Sequence, residues 1–378
     1  MSPASAVPPS PTATLPPARG KRIEVVDWLR GVAVVLMIMA HGMDAWLLPA
    51  AKSGFVYSLI RVASGVPARL FLLLVGVSAA IQFEAGLGKG IGGKVMRNRL
   101  LARGAQVLVL AYLFRLQEWL LSSFYGGWQT LFRIDILNAI GASMMVVALV
   151  AAPRDGRRQV VPALALAAVF LAFGPLVGPA HFPDWLPRPL TSYIGGQRPM
   201  AWFPMFPWAA WALSGVAIGH LWVHANRDER LLRRCFSLFF VIGLASTLTV
   251  ALVRYLDPTI IRYPSEVIQH MGPGTFFHRL GLIGMLSGVG FLWCRVLRGR
   301  FSMLRQLGRT SLLIYWVHIE FCYGSFVYAL RGRFGLTGAA LLVLVLTLMM
   351  LGLSWLKTQY GRTAVDWLRG RFRKPGLA

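Results

Sequence analysis

Apolar runs of bilayer length recur along the whole chain, separated by segments rich in Arg, Gly and Pro. Ten of these runs are predicted as membrane spans, at about 24–48, 56–83, 103–123, 135–152, 159–178, 202–223, 236–255, 275–297, 310–330 and 336–356. The expected fold is therefore all-α, a polytopic membrane helix bundle. The first run, in RIEVVDWLRGVAVVLMIMAHGMDAW (22–46), interrupts its apolar pattern with Asp27, Arg30, His41 and Asp44. A charged side chain at the centre of a membrane helix costs roughly 2.5–3.5 kcal/mol, so such residues generally face a cavity with work to do. They come as two pairs, each three apart and so on one helix face. At about 1.5 Å per residue the pairs are ~20 Å apart, close to opposite sides of a bilayer.

Composition supports this reading. Of 378 residues, 56% are hydrophobic and 14% charged, against roughly 25% charged in soluble domains. The net charge of +25 would suggest nucleic acid in a soluble protein. Here the basic residues lie between apolar runs, which points instead to anionic lipid head groups or a phosphorylated ligand. Lys and Arg alternate from one inter-span segment to the next: they cluster before span 1, after spans 2, 4, 6 and 8, and after span 10, and are sparse elsewhere. The positive-inside bias then places both termini of a multi-pass membrane protein in the cytoplasm. Residues 1–21 read as a disordered Pro-rich cytoplasmic tail without the apolar core of a signal peptide. Residues 22–358 form the membrane domain and 359–378 a basic cytoplasmic tail. Cys235, Cys294 and Cys322 fall in or beside apolar runs and read as buried thiols.

This orientation assigns a depth to every intramembrane polar residue. His41 and Asp44 of span 1, Arg61 and Arg69 of span 2, and Arg133, Asp135 and Asn138 of span 4 fall in the outer half. So do His278 and Arg279 of span 8, while His318 and Glu320 of span 9 lie near mid-membrane. Five helices bringing titratable groups to one depth predict a shared cavity. His41 is the best-placed proton acceptor, because an unperturbed imidazole titrates near pH 6.5. Asp44 stands one turn on, where it can orient the ring, and His318 is the second candidate. His220 and His224, at a helix end, read as structural; His181 and His270 are loop residues. Trp202, Trp208 and Trp211 stand where an outer aromatic belt belongs.

On the cytoplasmic side, GLGKGIGGKVMRNR (86–99) begins like a phosphate loop. Val95 stands where the pattern requires Ser or Thr and no strand precedes it, so the stretch does not predict nucleotide hydrolysis. The stretch reads as a flexible basic loop that can still cradle phosphates. FYGGWQTLFR (124–133) fits either an interfacial piece or a surface loop. VDWLRG occurs twice, at 26–31 and 365–370, without surrounding similarity, and is not a domain repeat.

D-W-L-R-G, an apolar run and H-x-x-D resemble the first helix of bacterial membrane proteins related to heparan-alpha-glucosaminide N-acetyltransferase. This is the DUF1624 group of the transmembrane acyltransferase superfamily. PARLFLLLVGVSAAI (67–81), RIDILNAIGASMMV (133–146), FPWAAWALSGVAIG (206–219) and LGRTSLLIYWVHI (307–319) are similar to its later blocks, in its order, so the resemblance spans about 22–330. It implies ten or eleven helices that use cytoplasmic acetyl-CoA to acetylate a sugar on the far side. One position departs from the pattern. The lysosomal enzyme of this family has Asn where His41 stands, and its catalytic His in the loop just beyond, where this chain has Lys52.

The resemblance implies acetyl-CoA as donor, no metal, and an acceptor amine or hydroxyl on a sugar or glycan. On this reading His41, Asp44, Asp135, Asn138 and His318 are the catalytic candidates: His41 as base or nucleophile, Asn138 or an Arg near it on the oxyanion, Asp135 positioning the sugar or neutralising Arg133. Arg30, Lys94, Arg97 and Arg99 would bind the phosphates of the donor, and Arg69, Arg133, His278 and Arg279 the acceptor. Membrane lipids and a second copy of the chain are the expected partners; nucleic acid is not. The alternative is a proton-coupled transporter or flippase of a sugar or lipid-linked substrate, which would use the same intramembrane charges but shows no inverted halves.

Overall fold

The computed structural model describes residues 23–121, 127–151, 156–177, 180, 182–183, 185–195, 200–256 and 272–372. Residues 1–22, most of the loop before α10 and the last six residues lie outside that set, and with them the expected N-terminal tail, His181 and His270. The described residues form thirteen α-helices and no strand: α1 (Glu24–Trp46), α2 (Gly54–Ser64), α3 (Pro67–Leu87), α4 (Gly93–Leu121), α5 (Ile136–Ala151), α6 (Val160–Val177) and α7 (Arg188–Ile194). The second half comprises α8 (Met205–Ala225), α9 (Glu229–Leu256), α10 (Pro273–Val296), α11 (Met303–Arg309), α12 (Ser311–Tyr323) and α13 (Leu336–Phe372).

Seven of the ten predicted spans coincide with helices long and apolar enough to cross a bilayer, α2 and α3 together supplying one of them. The other three differ for identifiable reasons. α5 has only 16 residues and α12 only 13. α8 has 21, but its Trp, Pro and His side chains dilute the apolar content and most of them are buried among neighbouring helices. The chain is a multi-pass all-α membrane protein. Its perimeter carries unpartnered apolar side chains, such as Leu238, Val241 and Leu248 on α9 and Leu341, Leu344 and Leu348 on α13; α1 and α3 are the most buried spans.

The predicted second span is two helices. Pro67 at the start of α3 cannot donate to a preceding carbonyl, so the chain closes a tight turn instead, with Gly65 N and Val66 N donating to Val62 O and Ala63 O. The third span starts ten residues earlier than expected. Met96, Leu100, Gly104, Val107 and Ala111 form one buried stripe at helical spacing, so Lys94, Arg97 and Arg99 stand on α4 and not on a glycine-rich loop. The turn before it is confined to 88–92, with Gly90 at φ 71°. Of the segment at 124–133, the described part is a short 3₁₀ turn, Trp128–Phe132, with Trp128 exposed.

Two close crossings hold the centre. α1 meets α11 where Gly31 and Gly308 bring backbone onto backbone, and α3 meets α8 at Gly76 and Gly215 in the same way. Arg305 of α11 closes the end of the bundle where α1 begins, through Glu24 and the carbonyls of Leu297 and Arg300. At the other end, Gly332 N and Phe334 N donate to Ala45 O and Trp46 O, and Leu48 N to Phe334 O, which fixes the end of α1 against the start of α13. α11 and α13 are further joined by a buried polar clasp: Gln306 Nε2 donates to Ser354 O and Oγ at 3.0 Å, and Thr310 Oγ1 donates to Ser354 Oγ at 2.6 Å. Cys235, Cys294 and Cys322 are buried and free.

Candidate active site

α1 and α12 lie side by side and face each other with histidines. The rings of His41 and His318 are 5.4 Å apart between centroids. His318 is fully buried, and its Nδ1 donates to Ile314 O, one turn back on α12, at 2.8 Å. That bond fixes the tautomer: Nδ1 carries the proton and Nε2 keeps a lone pair. His318 Nε2 has no hydrogen-bond partner among the described residues.

His41 is fixed in the same tautomer by a different device. Tyr323, at the last turn of α12, donates its hydroxyl to Asp44 Oδ2 at 2.8 Å. A carboxylate only accepts, so the phenol has spent its proton, and His41 Nδ1, at a long 3.4 Å from the same oxygen, must be the donor. His41 Nε2 is then the free base. Asp44 thus reaches His41 through Tyr323 and not directly as expected. It is further held by Lys52, whose Nζ donates to Asp44 O at 2.8 Å and lies 3.4 Å from Oδ1. Lys52 therefore anchors the carboxylate that orients the histidine.

The opposite side of α12 joins a second group. His318 and Glu320, two residues apart, project to different neighbours. Glu320 Oε1 accepts from Gln117 Nε2 of α4 at 2.8 Å, and Gln117 Oε1 accepts from Trp316 Nε1 at 2.9 Å. One turn of α4 around them carries Arg115 and Glu118, which meet the segment leading into α5. Arg115 pairs with Asp135 and, at 2.6 Å, with Glu118; Arg133 is 3.6 Å from Glu118 and 3.7 Å from Asp135. Two acids and two bases balance, which offsets the cost of their burial. Asn138 is buried at the start of α5, accepts from Asp135 N at 3.2 Å and donates to Tyr193 Oη at 3.2 Å; Tyr193 in turn bonds Tyr112 at 2.9 Å.

The residues expected to share one cavity instead fall into three groups: the histidine pair with Asp44, the quartet around Asp135, and a third at the α2–α3 kink, where Arg69 and Arg279 come together and His278 precedes Arg279 on α10. Tyr323, Arg115, Gln117 and Glu118 complete the first two and were not singled out in the sequence.

At the other end of α1, Arg30 is held by Asp27 (3.7 Å) and by Ser78 of α3 (2.5 Å). His220, as the sequence suggests, serves structure there, tying α8 to Glu84 of α3 and to Gln159, each at 3.1 Å. Between α3, the 88–92 turn and the first turns of α4 is a cavity of about 260 Å³. Lys89, Arg99 and Arg103 line it together with Gln82, Phe83 and Met96. Of the expected phosphate ligands only Arg99 lines this cavity; Lys94 and Arg97 stand elsewhere on α4, and Lys89 and Arg103 are added.

A membrane-embedded helix bundle with a polar, histidine-bearing site at one end and a basic cavity at the other defines the class. The model of the heparan-alpha-glucosaminide N-acetyltransferase catalytic domain matches residues 22–257, and the chain belongs to that family of membrane acetyltransferases. No curated protein matches the chain. The matched part holds α1 to α9, with His41, Asp44 and the α4–α5 quartet. It ends before α12, so His318 and Tyr323, and the resemblance of 307–319, lie beyond it.

Proposed function

We propose that this protein transfers an acetyl group from acetyl-CoA on the cytoplasmic side to an amine or hydroxyl of a sugar on the opposite side of a bacterial inner membrane, with both termini cytoplasmic. The observation that carries this reading is the His41–His318 pair. Two imidazoles with Nε2 unprotonated face each other beside an oriented Tyr–Asp link, and at the other end of α1 Arg30 bonds Ser78 of α3, the residue before Ala79 of the basic cavity's lining. From Arg30 to His41 α1 covers 11 residues, about 17 Å. Phosphates of the donor bind Lys89, Arg99 and Arg103, and the thioester extends toward the histidines. His41 Nε2 takes the proton of the acceptor as its nitrogen or oxygen attacks the thioester carbonyl. The C–S bond then breaks and the departing thiolate takes up a proton. Asp44, through Tyr323, stabilises the imidazolium formed on His41. His318 Nε2 accepts a hydrogen bond from that imidazolium or from the acceptor.

The test is thiol release from acetyl-CoA by the protein purified in detergent, with and without glucosamine. Sugar-stimulated release supports the reading. No release with several acyl-CoAs and sugars, from folded protein, overturns it in favour of transport, which the half-buried charge quartet would then serve. Arg99→Gln with Arg103→Gln is expected to raise KM for acetyl-CoA about tenfold or more, since each charged contact contributes roughly 1.5–3 kcal/mol, while kcat changes little. An unchanged KM would place the phosphates elsewhere. Tyr323→Phe frees the His41 ring and its tautomer, and kcat is expected to fall about 10- to 100-fold with Tm nearly unchanged.

A further inference from the structure

One tyrosine on the histidine face of α12 has a polar atom that the fold leaves unused. Tyr315 is three residues before His318, so the two share a helix face, and their rings meet edge to face with centroids 5.9 Å apart. Tyr315 is 8% exposed, and its hydroxyl makes no hydrogen bond with a described residue. Its ring packs on Phe114 of α4 at 5.7 Å, and the Arg115 guanidinium lies 5.8 Å from the centre of that same Phe114 ring. Arg115 is close enough for its charge to act on the phenol. Its buried Nε also has no hydrogen-bond partner among the described residues, and His318 Nε2 is the third such atom. Unpartnered polar atoms thus gather where α4 and α12 meet beside His41, and each costs free energy unless something fills it.

The position suits one step of the proposed transfer. Tyr315 stands about 4.5 Å nearer than His318 to the end of the bundle where Arg305 meets Glu24, the side from which the thioester would come. Attack on the thioester carbonyl puts negative charge on its oxygen, and neither histidine can answer that charge with the lone pair of Nε2. Asn138, the donor expected from the sequence, bonds Tyr193 and accepts from the Asp135 backbone instead. Tyr323 has spent its proton on Asp44. A phenol with a free O–H donates to an oxyanion, and a guanidinium nearby strengthens the interaction. We infer that Tyr315 is the catalytic residue that holds the carbonyl oxygen of the acetyl group. Its O–H donates to that oxygen while the new C–N or C–O bond forms, and keeps its proton. The oxygen lone pair then restores the C=O bond as the C–S bond breaks, and the proton that His41 took from the acceptor goes to the sulfur. This rests on the acyltransferase reading and adds to it the group that stabilises the charge on the acetyl carbonyl.

Tyr315→Phe in the full-length protein tests it, because the ring contacts with Phe114 and His318 stay and only the hydroxyl goes. Its kcat is expected to fall about 10²–10³-fold, the cost of one oxyanion donor, with KM for acetyl-CoA little changed and Tm unchanged. A kcat within about twofold of wild type overturns the proposal and leaves Tyr315 a packing residue. A loss of kcat matched by a fall in Tm overturns it as well, by making the packing of the ring the cause. The second readout needs no turnover. Acetyl-CoA labelled with carbon-13 at the carbonyl is bound to each protein in detergent without a sugar, and the carbonyl stretch is recorded by difference infrared spectroscopy. The band is expected at lower frequency in wild type than in Tyr315→Phe, since a donated hydrogen bond weakens the C=O bond; the same position in both overturns the assignment. A shifted band without transfer to any sugar defeats the acyl-transfer reading alone. Transfer that the variant leaves intact defeats the Tyr315 assignment alone, and folded protein that does not bind acetyl-CoA defeats both.

Discussion

His41→Ala is expected to lower acetyl-CoA-dependent turnover by roughly 10²–10⁴-fold, the range for loss of a positioned general base, while leaving the protein extractable and folded. His41 is partly exposed and makes one long hydrogen bond, so its removal takes little from the fold. His318→Gln should have a comparable effect for a different reason. Its ring is buried, its tautomer is set by its own helix, and it supplies the lone pair that receives the charge developing on His41. If the two act as one unit, the double variant loses hardly more activity than either single one. Additive losses would mean independent roles, and a His318→Gln enzyme with wild-type kcat would leave His318 as a packing residue. Unchanged turnover in His41→Ala would remove His41 from the mechanism.

The parts of this site that were legible in sequence are those whose polar residue interrupts an apolar helix. Asp27, Arg30, His41 and Asp44 announce themselves because nothing in a bilayer compensates them locally. Their partners do not. Tyr323 stands at the end of a span, where a tyrosine is ordinary interfacial chemistry, and only the packing of α12 on α1 places its hydroxyl between Asp44 and His41. Arg115, Gln117 and Glu118 occupy a span end, where charge is cheap; their meeting with Asp135 depends on how α4 and α5 return past each other. The basic cavity was missed because the apolar run, taken alone, starts α4 at 103. The buried stripe from Met96 onward was the available signal, since helical periodicity continues through the charged residues between. The break in the second span was written in Pro67, whose missing N–H ends the preceding helix.

The second large effect is on the fold itself, and it reaches the site through α11. Gly31, the last residue of the D-W-L-R-G motif, has its α-carbon against the backbone of α11: a Cβ there would lie 1.8 Å from Leu304 O. From the other side, a Cβ on Gly308 would lie 1.9 Å from Asp27 O. These neighbours are backbone atoms inside packed helices and cannot swing away as a side-chain tip does. Gly31→Ala and Gly308→Ala are therefore each expected to cost at least the upper part of the roughly 1–3 kcal/mol typical of overpacking, and Gly31→Val to yield no monodisperse protein. Size-exclusion profiles and thermal unfolding in detergent read this out. Gly352→Ala is the control: it lies in α13, nothing stands within 4 Å of its added methyl, and it should be neutral or slightly stabilising. α11 leads through Thr310 directly into α12, so any alanine variant that still folds must shift His318 and Tyr323 away from His41. Such a variant is expected to lose kcat well beyond its fall in Tm. Full activity in folded Gly31→Ala would show that the α1–α11 crossing does not set the distance between the histidines.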